Sequence, residues 1–286
     1  MKRLNVYNII GGEWIYYKIY VGTKSADDIL NNTIFSFANE MIEKKIINHW
    51  FFIRYNDPKF HLRIRFNCDI KNLGSILVAM HGLLSPLIEE FIIWKVQIDT
   101  YNREIERYGL NTMEFSEKVF YYDTLMVSKF LYNFKDENLR WLFALKSIDS
   151  FLDLFKYELV EKINLMEILS TSFKNEIGTS KILNSNLSDK YRKNRTLIEN
   201  AIEEKNENKD LYKIIYSRNI NISNEPVFSN FNKLLEVPLN SFISSHIHMT
   251  MNRVFKSKNR IHEMVCYDFL CRYYKSKMAI ERKNQC

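Results

Sequence analysis

The chain has 286 residues, enough for one large domain or two small ones, and 46% of them are apolar. That composition excludes a disordered chain, and seven Gly and four Pro over this length exclude collagen-like or linker-rich architectures. The formal charge of +7 invites a phosphate-bearing partner, but acidic and basic residues are interspersed through most of the chain. No direct nucleic-acid contact is expected, and an anionic small group or a peptide fits better.

Along the chain, Gly11-Gly12 precede Glu13–Val21 (EWIYYKIYV), whose aromatic and β-branched residues predict a strand. Ser25 then fits the N-cap of one long amphipathic helix, SADDILNNTIFSFANEMIEKKII, with acidic residues in its first turn. Trp50–Tyr55 (WFFIRY) reads as a second strand, and Asn56-Asp57-Pro58 as a turn. Phe60–Phe66 (FHLRIRF) alternates as a third strand, with Phe60, Leu62, Ile64 and Phe66 on one side and His61, Arg63 and Arg65 on the other. A helix over Lys71–Glu90 and a strand over Trp94–Tyr101 follow. The order β-α-β-β-α-β predicts a ferredoxin-like sheet layer in an α+β protein. After about Asn111 the apolar spacing becomes three and four, which predicts helices over FSEKVFYYDTLMVSKFLYNF, NLRWLFALKSIDSFLDLF, NKLLEVPLNSFISSHIHMTMNRVF and Arg260–Lys283. Residues Asn184–Asp210 are strongly charged and read as a solvated helix or an excursion. The whole reads as one domain, with a mixed α/β part to about residue 110 and a mainly helical part from about 111 to 286.

Cys68, Cys266, Cys271 and Cys286 have no metal-binding spacing, so reduced thiols and no metal are expected. The apolar stretch behind the basic start is too short for a signal peptide, and no run is expected to approach the ~18 apolar residues a bilayer requires. A cytoplasmic protein without a transmembrane segment is expected.

Three constellations carry chemistry. Arg63 and Arg65, two apart on one strand with Arg54 a strand earlier, form a cationic strip, and guanidinium forks bind carboxylates bidentately. The same pattern fits a merely solubilising strand face. Glu104 and Arg107, in YNREIERYG, are i,i+3 neighbours, so the carboxylate can aim the guanidinium, or the two form a weak surface ion pair. In SSHIHMTMNRVF, His248 and Asn252 are i,i+4 neighbours on a helix, as are Met249 and Arg253. A histidine there can exchange protons near neutrality or simply fill the core.

The strings RYNDPKFHLRIRF, YNREIERYG with FYYDT downstream, and SSHIHMTMNRVF, in this order, resemble the three hallmark blocks of the thiopeptide-type bacteriocin biosynthesis domain. That domain is the C-terminal, glutamate-eliminating part of class I lantibiotic dehydratases, and the resemblance covers roughly residues 12–280. Leu110, and the neighbourhood of Lys256, depart from family glycines. The resemblance implies β-elimination of glutamate from glutamylated Ser or Thr of a precursor peptide, leaving dehydroalanine or dehydrobutyrine, without a cofactor. It implies Arg63 and Arg65 for the glutamyl carboxylate, with Arg54 nearby, and Arg107, oriented by Glu104, for the same anion or the enolate. His248 would transfer the proton, and Asn252 and Arg253 would support it. Implied partners are the leader-core precursor peptide, a separate glutamylation subunit using glutamyl-tRNA, cyclase or azole-forming enzymes, and a second copy in a homodimer. Two alternatives stay open. One is the pyridine synthase reaction, a formal [4+2] cycloaddition of two dehydroalanines with loss of the leader. The other is a non-catalytic peptide-binding scaffold.

Overall fold

The computed structural model describes residues 4–178, 180–205 and 208–284, so Cys286 and the basic start at residues 1–3 lie outside the described residues. The chain is α+β and divides into two compact units, Met1–Asn133 with Asn224–Ser257, and Phe134–Ser223 with Lys258–Cys286.

The first unit is built on a four-stranded antiparallel sheet. Its strands are β2 (Trp14–Val21), β3 (Ile47–Asn56), β4 (Phe60–Cys68) and β5 (Ile93–Asp99), in the spatial order β3-β4-β2-β5. A two-stranded ribbon joins β1 (Tyr7–Asn8) to β6 (Tyr101–Asn102). β-Branched and aromatic residues fill these strands because they pack well on a pleated surface. Trp14, Ile15, Ile19, Trp50, Phe52, Leu62, Ile64 and Phe66 are all at most 1% exposed.

The strand expected over Trp94–Tyr101 stops at Asp99, and Tyr101 belongs instead to the ribbon with β1. The single helix expected after Ser25 is broken into α1 (Ala26–Ile29), a π-helical stretch Leu30–Phe35 and α2 (Ser36–Glu43). Ser25 occupies the cap position in helical conformation and makes no side-chain cap bond. Within the π stretch Asn31 donates to the carbonyl of Leu131, a long-range contact that apolar periodicity does not encode. The third helix, α3 (Leu73–Glu89), follows a 3-10 turn at Ile70–Asn72. Contrary to the sequence expectation, Ile70–Glu89 is long and apolar enough to cross a membrane by length and composition.

Next come α4 (Ile105–Tyr108) and α5 (Met113–Asn133). Gly109 closes α4 at φ +74°, and a Cβ there would stand 2.8 Å from Thr112 Oγ1, so glycine is required on both counts. The unit is completed by α10 (Phe231–Leu234) and α11 (Leu239–Val254). The continuous helix expected from Asn232 is interrupted because Pro238, which has no N–H to donate, stands at the α11 N-cap.

The second unit is helical, with α6 (Glu137–Leu154), α7 (Leu159–Ile177), α8 (Lys181–Ile202), α9 (Lys209–Ser223) and α12 (Asn259–Asn284). The periodicity reading missed α7, although it opens on a capping box between Glu158 and Glu161. Most of the charged segment from Asn184 is helix α8; Asn206 and Glu207 lie outside the described residues. The unit encloses an ionic cluster in which Asp149 takes Lys162 Nζ at 2.8 Å and the Tyr274 hydroxyl at 2.8 Å. Lys162 also reaches Asp153 at 2.6 Å, and Lys146 reaches Glu204 at 2.9 Å.

Candidate active site

The site is organised by strand register. On β4, Arg65 stands between Tyr16 of β2 and Phe51 of β3, its direct cross-strand partners. The Arg65 guanidinium lies 4.3 Å from the Tyr16 ring centre, 5.2 Å from that of Phe51 and 4.8 Å from that of Tyr101. Ring faces carry negative potential, so this box accepts a cation without neutralising it. Arg65 is only 7% exposed, its Nε has no hydrogen-bond partner among the described residues, and it pairs with no carboxylate there. Burial presses its pKa below the ordinary arginine value, while Tyr16, Tyr101 and the more distant Glu104 pull the other way. A guanidinium nevertheless keeps its proton in proteins. The result is a buried positive charge without a counter-ion among the described residues.

Two residues along, Arg63 stacks 3.4 Å above the Tyr55 ring centre and its Nε donates to His61 Nε2 at 3.1 Å. His61 accepts there, so its Nδ1 is the protonated nitrogen and donates to the Lys59 carbonyl at 2.8 Å. Burial lowers the His61 pKa, and Arg63 and Lys18 push in the same direction. Arg63, Arg65 and His61 thus share one sheet face, as alternation predicts, and His61 and Arg65 on it are buried.

Arg54 does not join them. It pairs across the ladder with Leu62, so it lies on the opposite face of the sheet. There it is 2% exposed, donating from Nε to the Arg253 carbonyl at 3.0 Å and meeting Asp27 at 2.7 Å. The expectation that Arg54 extends the cationic strip is corrected on that ground: a residue of even number on β3 cannot share the face of Arg63 and Arg65.

Arg253 is fully buried and ties α11 to the sheet. Its Nε donates to the Phe52 carbonyl at 2.8 Å, one terminal nitrogen meets Asp123 at 3.3 Å, and its guanidinium lies 5.2 Å from the Phe120 ring centre. Asp123 also accepts from the Thr250 hydroxyl. Arg253 feels the charge of Arg65, so it is near the site but committed to the scaffold. Of the two histidines on α11, His246 is the core residue, packed on Tyr108, Phe120 and Phe242 with Nε2 3.2 Å from Ser116 Oγ. His248 is half-buried, as is Asn252 one turn on. Helix α11 packs against α4, which carries Arg107. Glu104 and Arg107 pair at 2.9 Å, each 51% exposed, which leaves both accessible to a ligand.

Sequence reasoning missed the residues that hold Tyr101 against Arg65. Arg103, two positions on, is gripped by both Glu117 oxygens at 2.7 and 2.9 Å and by Glu13 at 3.1 Å. It also donates to the Asn5 carbonyl at 2.7 Å, fixing the ribbon. The spacing from Arg103 to Glu117 crosses a turn and two helical elements, so no local pattern announces it. Among the described residues there is no cluster of three or more His, Cys, Asp or Glu suited to a metal ion, and Cys68, Cys266 and Cys271 are free thiols in the interior.

A family model described as lantibiotic biosynthesis dehydratase C-term matches residues 14–274. The chain belongs to that family. The subtilin biosynthesis protein SpaB of Bacillus subtilis is 30% identical over 171 residues, 58% of this chain and 16% of its own length. The nisin biosynthesis protein NisB of Lactococcus lactis subsp. lactis is 28% identical over 271 residues, 86% of this chain. The chain spans only about a quarter of NisB, 26% of its length. Among solved structures, the tRNA-dependent lantibiotic dehydratase MibB from Microbispora sp. 107891 has a similar fold over 95% of this chain and 29% of its own, at a TM-score of 0.74 and 20% identity. The pyridine synthase TbtD from thiomuracin biosynthesis has it over 94% of this chain and 99% of its own, at a TM-score of 0.68 and 12% identity.

Proposed function

We propose that this chain catalyses β-elimination of glutamate from glutamylated Ser or Thr residues of a ribosomal precursor peptide, as a lyase of lantibiotic or thiopeptide biosynthesis. The observation that carries this reading is Arg65: a buried guanidinium boxed by Tyr16, Phe51 and Tyr101 and lacking a carboxylate partner is a built receptor for a substrate carboxylate. A glutamyl group brings that carboxylate with it. Arg63, stacked and oriented next to it, supplies the second cation.

The chemistry breaks the Cα–H and Cβ–O bonds and forms the Cα=Cβ bond, with glutamate leaving as a carboxylate. His248 takes the Cα proton, and Asn252, one turn on, steadies the ring. Arg107, aimed by Glu104, meets the negative charge on the developing enolate or on the departing glutamate. Arg253 holds α11 on the sheet and so fixes where His248 stands. We read the β-α-β-β-α-β order with strand arrangement β3-β4-β2-β5 as ferredoxin-like, and residues 1–286 as a single elimination-type domain. The glutamylation step, which uses glutamyl-tRNA, falls to other protein sequence, and the whole acts in the cytoplasm on a leader-core peptide.

The pyridine synthase reaction is the second reading, favoured by the match to nearly the full length of TbtD. One incubation separates the two. Purified protein is given a chemically glutamylated precursor peptide and the product is weighed by mass spectrometry. Release of free glutamate with a dehydrated peptide is the expected result. Turnover only of a peptide already carrying two dehydroalanines assigns the cycloaddition instead.

A further inference from the structure

Arg63 and Arg65 share a strand face, yet their surroundings leave different edges of the two guanidinium groups open. The residue before Arg63 on that face is His61, which is buried. It lies between its cross-strand partners, the Tyr20 ring at 4.8 Å and the Tyr55 ring at 5.5 Å. An arginine Nε only donates, so the 3.1 Å contact makes His61 Nε2 the acceptor. The ring proton is thereby placed on Nδ1 and given to the Lys59 carbonyl. Arg63 is thus held twice, with its plane on Tyr55 and its Nε spent on His61. Only the end-on pair of terminal nitrogens is left to take a carboxylate, and among the described residues no carboxylate pairs with it. Arg65 is the reverse. Its Nε has no partner among the described residues, so its side-on edge, Nε with one terminal nitrogen, is unfilled.

We infer that His61 is a positioning residue that assigns the two arginines to different carboxylates: Arg65 holds the one the substrate already carries, and Arg63, kept end-on by His61, receives the one that elimination releases. The inference rests on the elimination reading. A glutamyl ester has one free carboxylate and one masked in the ester. As the Cβ–O bond breaks, its electron pair passes to the ester oxygen and unmasks the second carboxylate, while the Cα proton goes to the base. Alternate residues on a strand stand about 7 Å apart, of the order of the length of a five-carbon dicarboxylate. A group that meets charge only as it forms raises the rate, whereas one that grips substrate and product alike does not. Were Nε of Arg63 open, it would turn to the standing carboxylate as well. Burial, helped by Arg63 and Lys18 and opposed by the bond to Lys59 and by Asp57, keeps His61 below the ordinary histidine pKa, so the acceptor nitrogen stays bare near neutrality.

The test compares two ligands by calorimetry, glutarate with both carboxylates free and monomethyl glutarate with one masked. Wild type should bind glutarate the more tightly. His61→Phe, which fills the space but accepts no bond, should weaken glutarate about tenfold and leave the monoester within about twofold. In glutamate release it should lower kcat about tenfold with KM nearly unchanged. His61→Gln, which can return an acceptor oxygen near the place of Nε2, should restore glutarate to within about threefold of wild type. Nitrogen-15 NMR of the wild-type protein at pH 7 should show His61 neutral with its proton on Nδ1, a readout that depends on no variant folding. A proton on Nε2, a His61→Phe protein that weakens both ligands alike or neither, or a His61→Gln protein as weak as His61→Phe overturns the inference and leaves the elimination reading standing. A wild type that binds neither ligand and releases no glutamate overturns that reading, and the inference with it.

Discussion

Arg65 of the sheet unit is treated differently from the buried lysines of the helical unit, and from Arg54, Arg103 and Arg253 of its own, each of which meets a carboxylate. In the helical unit Lys162 and Lys146 are almost enclosed, and each is matched: Lys162 by Asp149 and Asp153, Lys146 by Glu204 with the Ile202 carbonyl. In the sheet unit Arg65 is as deeply placed, yet its surroundings are three rings. Removing a charge from water without a counter-ion is costly unless something compensates it. The helical cluster therefore carries its own neutralising groups, and the Arg65 box, with no carboxylate partner among the described residues, is the place where the proposed substrate carboxylate would supply one.

That contrast can be broken most severely in the helical unit. Asp149→Ala strips two lysines and the Tyr274 hydroxyl of their shared acceptor and should cost about 3–5 kcal/mol in urea unfolding. Arg65→Leu should do the reverse. Unfolding free energy should stay within about 1 kcal/mol of wild type or rise, because an uncompensated charge is removed, while glutamate release and binding of a dicarboxylate such as glutarate by calorimetry are lost. Equal destabilisation by the two substitutions would mean that Arg65 is structural.

Acid sharpens the comparison next. Burial, with help from Lys118 and Arg103, holds the His49 imidazole down to about 3, far below the usual histidine value. The unfolded chain therefore binds a proton that the folded one refuses. Stability from this group is complete above pH 6.5 and declines as pH falls toward 3. His49→Phe should flatten that decline in urea titrations run at several pH values. The smallest effect is expected at the exposed Glu104–Arg107 pair. Glu104→Gln should change stability by less than about 0.5 kcal/mol. If the carboxylate aims Arg107, the variant should slow glutamate release with little change in substrate affinity.

Much of the sheet was legible because its signal is local. The alternation FHLRIRF placed Arg63 and Arg65 on one face, and the structure keeps them there. What alternation cannot supply is the partner across the ladder, so the aromatic box of Tyr16 and Phe51 stayed invisible until register was known. Arg54 illustrates the same limit from the other side. A motif written along the chain set it beside Arg63, and one residue of parity sends it through the sheet to Asp27. The helix after Ser25 failed for a different reason, since its π stretch answers to Leu131, a hundred residues away. His248 and His246 look equivalent in SSHIHM, and only packing on Tyr108 and Phe242 separates the core ring from the half-buried one.

The placement of Arg65 on a ladder also constrains how this family can vary. Its neighbours are drawn from three strands, so ring chemistry can drift at Tyr16, Phe51 and Tyr101 independently, by single substitutions. The two-residue interval between Arg63 and Arg65 cannot drift. One inserted residue in β4 would turn the guanidinium into the apolar layer now held by Ile64 and Phe66. Lineages should therefore keep R-x-R spacing while the box around it changes composition, and a relative that has lost the interval should have lost the proposed glutamate-binding function with it.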